Sequence, residues 1–445
     1  MSTLDTIRRR PATRRSAATT TPAVPRNTTR QTRGARKTSS RAGSADGENA
    51  ALSYYLVAGS AALLLVLGVV MVFSASMIES IETSDGNPYA AFLVQARYVI
   101  IGLPLAFLAS RIKAEWYRRL AWPAFFGGLA MQLLIFSPLA RGEGGNTNWI
   151  YIPGLGQTLQ PSEFLKLGLA LWLGAVLSRK GRLLNDWKHV LIPGGIGSVV
   201  AIALVLAGHD MGTVLVMVAL VCGAYFIAGL PMRWFAATGV LGAGAAAFFV
   251  VQSESRMTRV QSFLGLAEAD PSGTGFQSQH GQWALGTGGV SGVGLGASRE
   301  KWSYLPAAHN DFIFAIIGEE LGLLGTLLVL ALFGGLAVGM FRIVRRHRDP
   351  FVQIATATIA TWLLAQALIN IGVVIGLLPV IGVPLPLVSA GGSAMISTLI
   401  ALGVVLAFAR TEPGAAKALA TRRAVVSKSL AVVGRQSRRA ASRRG

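Results

Sequence analysis

Tyr304-Leu-Pro-Ala-Ala-His-Asn-Asp-Phe-Ile-Phe-Ala-Ile-Ile-Gly-Glu-Glu-Leu-Gly322 sets one acid, Asp311, where a polar segment meets a long apolar run. Two more acids, Glu319 and Glu320, follow inside that run, which continues to about position 341. A bilayer crossing needs roughly 20 mostly apolar residues, so the run reads as a membrane helix. Carboxylates at membrane depth are costly and are functional by default. Asp311 follows Asn310 at the helix start, where a plain helix cap is the alternative reading. An acid at such a boundary is placed for general-base work. Glu319 projects about 80° round an ideal helix from Asp311 and is expected to share its cavity, whereas Glu320 points nearly opposite.

Outward from this stretch the chain repeats the pattern. Ten segments, about 52–76, 90–109, 119–138, 163–178, 189–207, 211–228, 233–251, 312–341, 351–377 and 389–410, are long and apolar enough to span. The fold class is therefore all-α, a polytopic membrane protein of about ten transmembrane helices. Alternate connections are basic: Arg111–Arg119, Arg179–Arg182, Arg233 and Arg342–Arg348. The positive-inside rule puts those connections and both termini in the cytoplasm. A large extracytoplasmic loop, 252–311, then separates helices seven and eight. It carries Phe263, Trp283, Trp302 and Tyr304, so it is expected to fold on the membrane surface, with short helices around 256–266 and 276–286. The outer loop 139–161, rich in Gly, Asn and Trp, is the second place where function is expected.

Charge divides the chain into three parts. Residues 1–50 and 411–445 carry +16 of the net +21, although the whole chain is 52% apolar. Both tails are expected to be disordered, because they cannot bury enough apolar area to offset ordering entropy. Residues 51–410 form the transmembrane domain. Basic tails beside a membrane point to anionic lipid or an acidic partner rather than nucleic acid, or simply to topology retention. The long basic N-terminus and a spanning first apolar run do not fit a cleaved signal peptide. The single cysteine, Cys222, excludes an intrachain disulfide and a cysteine metal cluster.

Other polar groups in apolar surroundings are candidates. Gln160-Pro-Ser-Glu-Phe-Leu-Lys166 opens the fourth span, with Pro161 suited to a first helical turn. Glu163 and Lys166 either neutralise each other as an i,i+3 pair, or Lys166 offers a cation in the cavity of Asp311. Arg256 and Arg259 share a helical face and either anchor lipid headgroups or recognise a diphosphate. Gly292-x-Gly294-x-x-Ala297 formally matches a dinucleotide fingerprint, but no βαβ unit surrounds it. Those glycines are expected to permit tight turns or close backbone approach. Walker A, His-Glu-x-x-His and Gly-x-Ser-x-Gly patterns are absent from the sequence.

Taken together these residues resemble the SEDS family (shape, elongation, division and sporulation), over roughly 55–410. The marks are Trp149-Ile near Gln160-Pro-Ser-Glu-x-x-Lys166, Asp210-Met-Gly-Thr213, Arg256-x-x-Arg259, Asp270-Pro-x-Gly-x-Gly-Phe-Gln277 and Gly294-Leu-Gly-x-Ser298 with Lys301. The His309–Gly322 motif, Asn370-Ile-Gly and Pro384-Leu-Pro-Leu-Val-Ser-Ala-Gly-Gly-Ser393 complete them. His-Asn-Asp and the ending Ala409-Arg-Thr-Glu-Pro413 resemble the division branch of actinobacteria more than the elongation branch. Departures are Asn148 where arginine is usual, His280 for a glutamine, Ala307 for a glutamate, and Gly208-His209-Asp210 for Gln-Pro-Asp.

The resemblance implies a membrane glycosyltransferase that polymerises lipid II into peptidoglycan at the division septum. Asp311 would be the general base, with Lys166, Arg256, Arg259, Glu319, Lys301, Trp149 and Gln277 as substrate-binding residues. It implies a class B penicillin-binding protein and other divisome proteins as partners, and lipid II and lipid-linked glycan as substrates. No cofactor is certain; a divalent cation, Mg or Mn, is an option for the leaving diphosphate. A lipid II transporter would be expected to show internal repeats and mid-membrane ionisable groups, and neither is evident. A scaffold recruiting a transpeptidase would tolerate loss of Asp311.

Overall fold

Local sequence signals set three helix starts. Pro161 occupies the first turn of α4 (Pro161–Leu177). Asp210 accepts from Thr213 N at 2.9 Å to open α6 (Met211–Ile227). Asp349 accepts from Phe351 N at 3.0 Å, with Pro350 behind it, to open α10 (Pro350–Val374). Carboxylate caps satisfy amides that the first helical turn leaves without partners.

The structure is a computed structural model that describes residues 32–143, 146–153, 157–252, 257–258, 260–261, 274–302, 305–306 and 308–421. The other helices are α1 (Thr32–Thr83), α2 (Ala90–Ala109), α3 (Ala114–Leu133), α5 (Trp187–Ala207), α7 (Met232–Val251), α8 (Thr274–Gly288), α9 (Ile313–Arg346) and α11 (Gly392–Thr411). Each of the ten expected spanning segments coincides with one of these helices. Among the described residues, seven helices are long and apolar enough to cross a membrane: α1, α2, α3, α5, α9, α10 and α11.

The centre of the bundle is α4, buried at every residue from Gly168 to Leu177, packed against α3, α6 and α10. Close approach of α3 and α4 depends on small residues. A Cβ on Gly168 would stand 2.6 Å from the Ala124 carbonyl. Packing of this kind substitutes for the hydrophobic drive that lipid removes. Toward the periphery the same apolar residues face outward, as Val240 and Leu241 of α7 do at 75% and 73% exposure. In an apolar solvent such surface is satisfied by acyl chains.

Three features differ from the sequence expectations. Loop 139–161 holds an antiparallel sheet, β1 (Ala140–Glu143), β2 (Asn146–Ile152) and β3 (Gln157–Leu159), in order β1-β2-β3. Trp149 pairs with Arg141, and Ile150 with Leu159. Turn-rich, weakly alternating strands gave no period-2 signal. The expected tails also shorten. Helix α1 begins at Thr32, and residues 415–421 are helical, because a formed helix extends at low cost once nucleated. Asp46–Gly445 forms the compact unit, and Met1–Ala45 a separate one. Of the outer-loop helices, the second is α8; most of the first lies outside the described residues.

The third difference is a break in α9. Gly322 has φ 66 and ψ −162 inside an otherwise helical segment. The glycine-rich loop after α8 enters the gap. Val293 N and Gly294 N donate to the carbonyls of Glu319 and Glu320, at 2.9 and 3.0 Å. In return Leu323 N and Leu324 N donate to the carbonyls of Gly289 and Val290, at 2.9 and 3.2 Å. Every amide and carbonyl released by the break named here thus finds a backbone partner, which the apolar setting demands.

Candidate active site

A cavity of about 700 Å³ opens where the sheet, the starts of α4, α6 and α9, and the segment before α11 meet. Its floor is ionic. Lys166 Nζ donates to Glu163 Oε1 at 2.7 Å and to Gln366 Oε1 at 3.1 Å, with both charged side chains almost fully buried. The ammonium also lies 4.9 Å from the ring centre of Trp362. Ser397 donates to the other Glu163 oxygen at 3.2 Å, and Gln366 Nε2 donates to the Pro384 carbonyl at 2.9 Å. The pair therefore joins α4, α10 and α11, and its charges are compensated without water.

One wall is organised by Asp210. Its Oδ2 accepts from Asn148 Nδ2 and Gln160 Nε2, both at 2.9 Å, while Oδ1 caps α6. The carboxylate thereby holds strand β2 and the start of α4 against α6. Trp149, the next residue of β2, lines the cavity. At the outer edge Tyr98 of α2 donates to Gln157 of β3 at 2.8 Å.

Asp311 lines the opposite rim, half-buried, with Gln277 of α8 also on the lining. Its backbone is fixed by three successive carbonyl contacts. The His309 carbonyl accepts from Ala390 N at 2.9 Å, that of Asn310 from Ser389 Oγ at 2.6 Å, and that of Asp311 from Asn370 Nδ2 at 2.7 Å. Asn370 Nδ2 also reaches the Val383 carbonyl at 2.8 Å. Behind Asp311 the chain turns at once into buried apolar helix, Phe312 to Ile317. A Cβ on Gly382, where φ is +73, would lie 3.4 Å from Asp311 Oδ2.

Residues 54–413 match the family described as "Cell cycle protein", that of FtsW, RodA and SpoVE. The chain belongs to this family. It is 39% identical over 368 residues to the probable peptidoglycan glycosyltransferase FtsW of Mycobacterium tuberculosis, covering 82% of this chain and 70% of that one. To the FtsW of Geobacter metallireducens it is 36% identical over 348 residues, covering 78% and 92%. Among solved structures it resembles a chain from a peptidoglycan synthase complex, with TM-score 0.65, 26% identity, and 80% and 97% coverage. The rod shape determining protein RodA of Thermus thermophilus matches with TM-score 0.60, 26% identity and the same coverage.

Of the SEDS residues expected at the site, Asp311, Lys166, Trp149 and Gln277 line one cavity. Lys166 is paired with Glu163 as the i,i+3 reading expected, and both residues line the cavity. The expectation for Glu319 is corrected. Asp311 precedes the first turn of α9, so helical projection between them fails, and Glu319 is bound by Ser298 Oγ at 2.5 Å and Arg299 N at 2.9 Å. Lys301 is corrected as well. It is buried against the Gly296 carbonyl at 2.6 Å and Glu320 at 3.3 Å, and Glu320 also accepts from Ser74 of α1 at 2.7 Å. These three charges anchor the outer loop to α9 and α1 rather than lining the cavity. Arg256 and Arg259 lie outside the described residues.

Sequence reading gave no individual role to Asp210, Gln366, Asn370 or Ser389. Gln366 and Asn370 were detectable as amides deep in an apolar run, which lipid-facing helices exclude. The departure at Asn148 has a local consequence: a neutral amide meets Asp210 where the family usually has arginine. His280, another departure, has Nδ1 2.6 Å from Glu300 Oε2.

Proposed function

We propose that this protein polymerises lipid II into glycan strands, with Asp311 as the general base of an inverting transfer. The observation that carries this is the placement of Asp311: a carboxylate on the cavity rim, its backbone held at three consecutive carbonyls, facing a polar, aromatic-lined chamber between membrane helices. The acceptor sugar's 4-hydroxyl attacks C1 of the donor glycan. Its proton passes to Asp311 as the new C–O bond forms, and the C1–O bond to undecaprenyl diphosphate breaks with its electrons. A single displacement turns the α-linkage into β, so one base suffices, unlike the paired carboxylates of hydrolases.

The leaving diphosphate needs positive charge. Lys166 is the buried cation on the cavity lining, and Arg256 and Arg259 remain the sequence candidates beside it. Among the described residues no three His, Cys, Asp or Glu side chains converge as a metal-ligand set, and no step here is routed through a metal. The family relatives and the synthase-complex likeness support a septal membrane location and a class B penicillin-binding protein as partner, with other divisome proteins. The charge pattern supports ten crossings with both termini cytoplasmic.

The deciding experiment supplies lipid II to the purified protein with its transpeptidase and compares wild type with Asp311→Asn. Strands from wild type, reduced roughly 100- to 10,000-fold in the variant with unfolding temperature unchanged, are expected for loss of a general base. Equal product from both removes that role from Asp311. Product from neither overturns the polymerase reading.

A further inference from the structure

A second cavity, of about 530 Å³, lies at the opposite chemical extreme from the first. It sits where three membrane helices stop: α2 ends at Ala109, α3 starts at Ala114 and α11 ends at Thr411. On the topology proposed above this is the cytoplasmic membrane boundary. Three basic side chains, Arg111, Lys113 and Arg410, line it, and no carboxylate does among the described residues.

Two acids near this end are already engaged, and Glu115, in the first turn of α3, does not line the cavity. Asp349 accepts from Arg118 at 2.5 Å, and Glu412 pairs with Arg346. Arg410 is fixed without being neutralised, because its Nη1 donates to the Ser110 carbonyl at 2.9 Å. Arg111 is braced over the Phe107 ring at 4.4 Å. Two of the three cations are thus oriented by uncharged partners and keep their full charge for an anion.

Apart from Ser110 and Thr411, the rest of the lining is apolar. Ile112, Ala407 and Leu419 line the cavity, and on the neighbouring face of α2 Phe107 and Leu108 are 57% and 59% exposed. A soluble anion would use only the basic part. A molecule with a phosphate and an acyl chain would use both, at the depth where helix ends place headgroups.

We propose that this pocket binds a phosphate-bearing anion, held as the headgroup of an anionic phospholipid, with its chain along the exposed face of α2. The guanidinium forks of Arg111 and Arg410 match phosphate oxygens, and Lys113 adds a point charge.

The test uses the full chain in detergent with tail-labelled phosphatidylglycerol and phosphatidylcholine as probes. The variant is Arg111→Gln with Lys113→Gln, which leaves the Arg410–Ser110 contact in place. Wild type is expected to prefer phosphatidylglycerol. The double variant should bind it roughly 25-fold more weakly, about fivefold per cation, with phosphatidylcholine binding and unfolding temperature unchanged. Equal phosphatidylglycerol affinity in both proteins overturns the site. Displacement of the labelled lipid by millimolar inorganic phosphate overturns the phospholipid in favour of a soluble anion. No glycosyl transfer enters the readout, so failure here is separate from failure of the polymerase reading.

Discussion

Asp311 is held in place through three backbone carbonyls, its own and those of the two residues before it. Asn370 donates both amide hydrogens, one to the Asp311 carbonyl and one to that of Val383, so it ties Asp311 to the segment before α11. Ser389 does the same one residue earlier. A displacement of about 1 Å in a reacting group can cost on the order of 100-fold in rate. Asn370→Ala is therefore expected to lower kcat by roughly 10- to 100-fold while KM stays nearly constant. A rise in KM at unchanged kcat would show that Asn370 serves substrate binding instead. The variant also leaves two carbonyls without their donor, at a stability loss of about 1–3 kcal/mol that thermal unfolding can check.

At the scale of elements, α9 is two helices joined by a backbone geometry that only glycine adopts readily. At Gly322 an added Cβ would stand 2.3 Å from Gly292 N, and at Gly292 it would stand 2.1 Å from the Glu320 carbonyl. The loop and the broken helix exclude side chains from each other, while Glu319, Glu320 and Lys301 fasten the same contact with charge. Gly322→Ala is expected to destabilise the protein by about 1–3 kcal/mol, read as a lower unfolding temperature in detergent, because left-handed backbone of this kind is strained for any residue with a Cβ. An unchanged midpoint would mean that the loop closes over an ordinary helix.

Across the whole molecule, His347 joins helix ends that are far apart in sequence. Its Nδ1 accepts from Asp349 N at 3.1 Å, and Nε2 lies 3.2 Å from Thr411 Oγ1, which links the ends of α9 and α11 with the start of α10. Burial holds this imidazole below its ordinary value of 6.5. The folded state favours the neutral ring, so its contribution is complete above pH 6.5 and is lost as pH falls from there through the folded value. Protonation would also place a hydrogen on the nitrogen that accepts from Asp349. The unfolding temperature of wild type is expected to fall on acidification below pH 6.5, and His347→Gln should flatten that part of the profile. Parallel profiles would assign the acid sensitivity elsewhere.

Hydropathy and charge are properties of short segments, and they were enough for the membrane class, the positions of the apolar helices and the singling out of Asp311. Lys166, Trp149 and Gln277, which line the cavity, were singled out as well, through motifs in α4, β2 and α8. Which polar groups meet was decided only by tertiary structure. In lipid both the buried and the exposed faces of a helix are apolar, so periodicity does not say which face is inward. Glu319 shows the limit: its projected partnership with Asp311 presumes an unbroken helix through both, whereas α9 starts after Asp311 and breaks at Gly322. The convergence of Asp210 and Gln366 on one cavity, with Asn370 bracing the Asp311 carbonyl, depends on how α6 and α10 pack around α4, and that packing is a sum over the whole bundle that no single segment records.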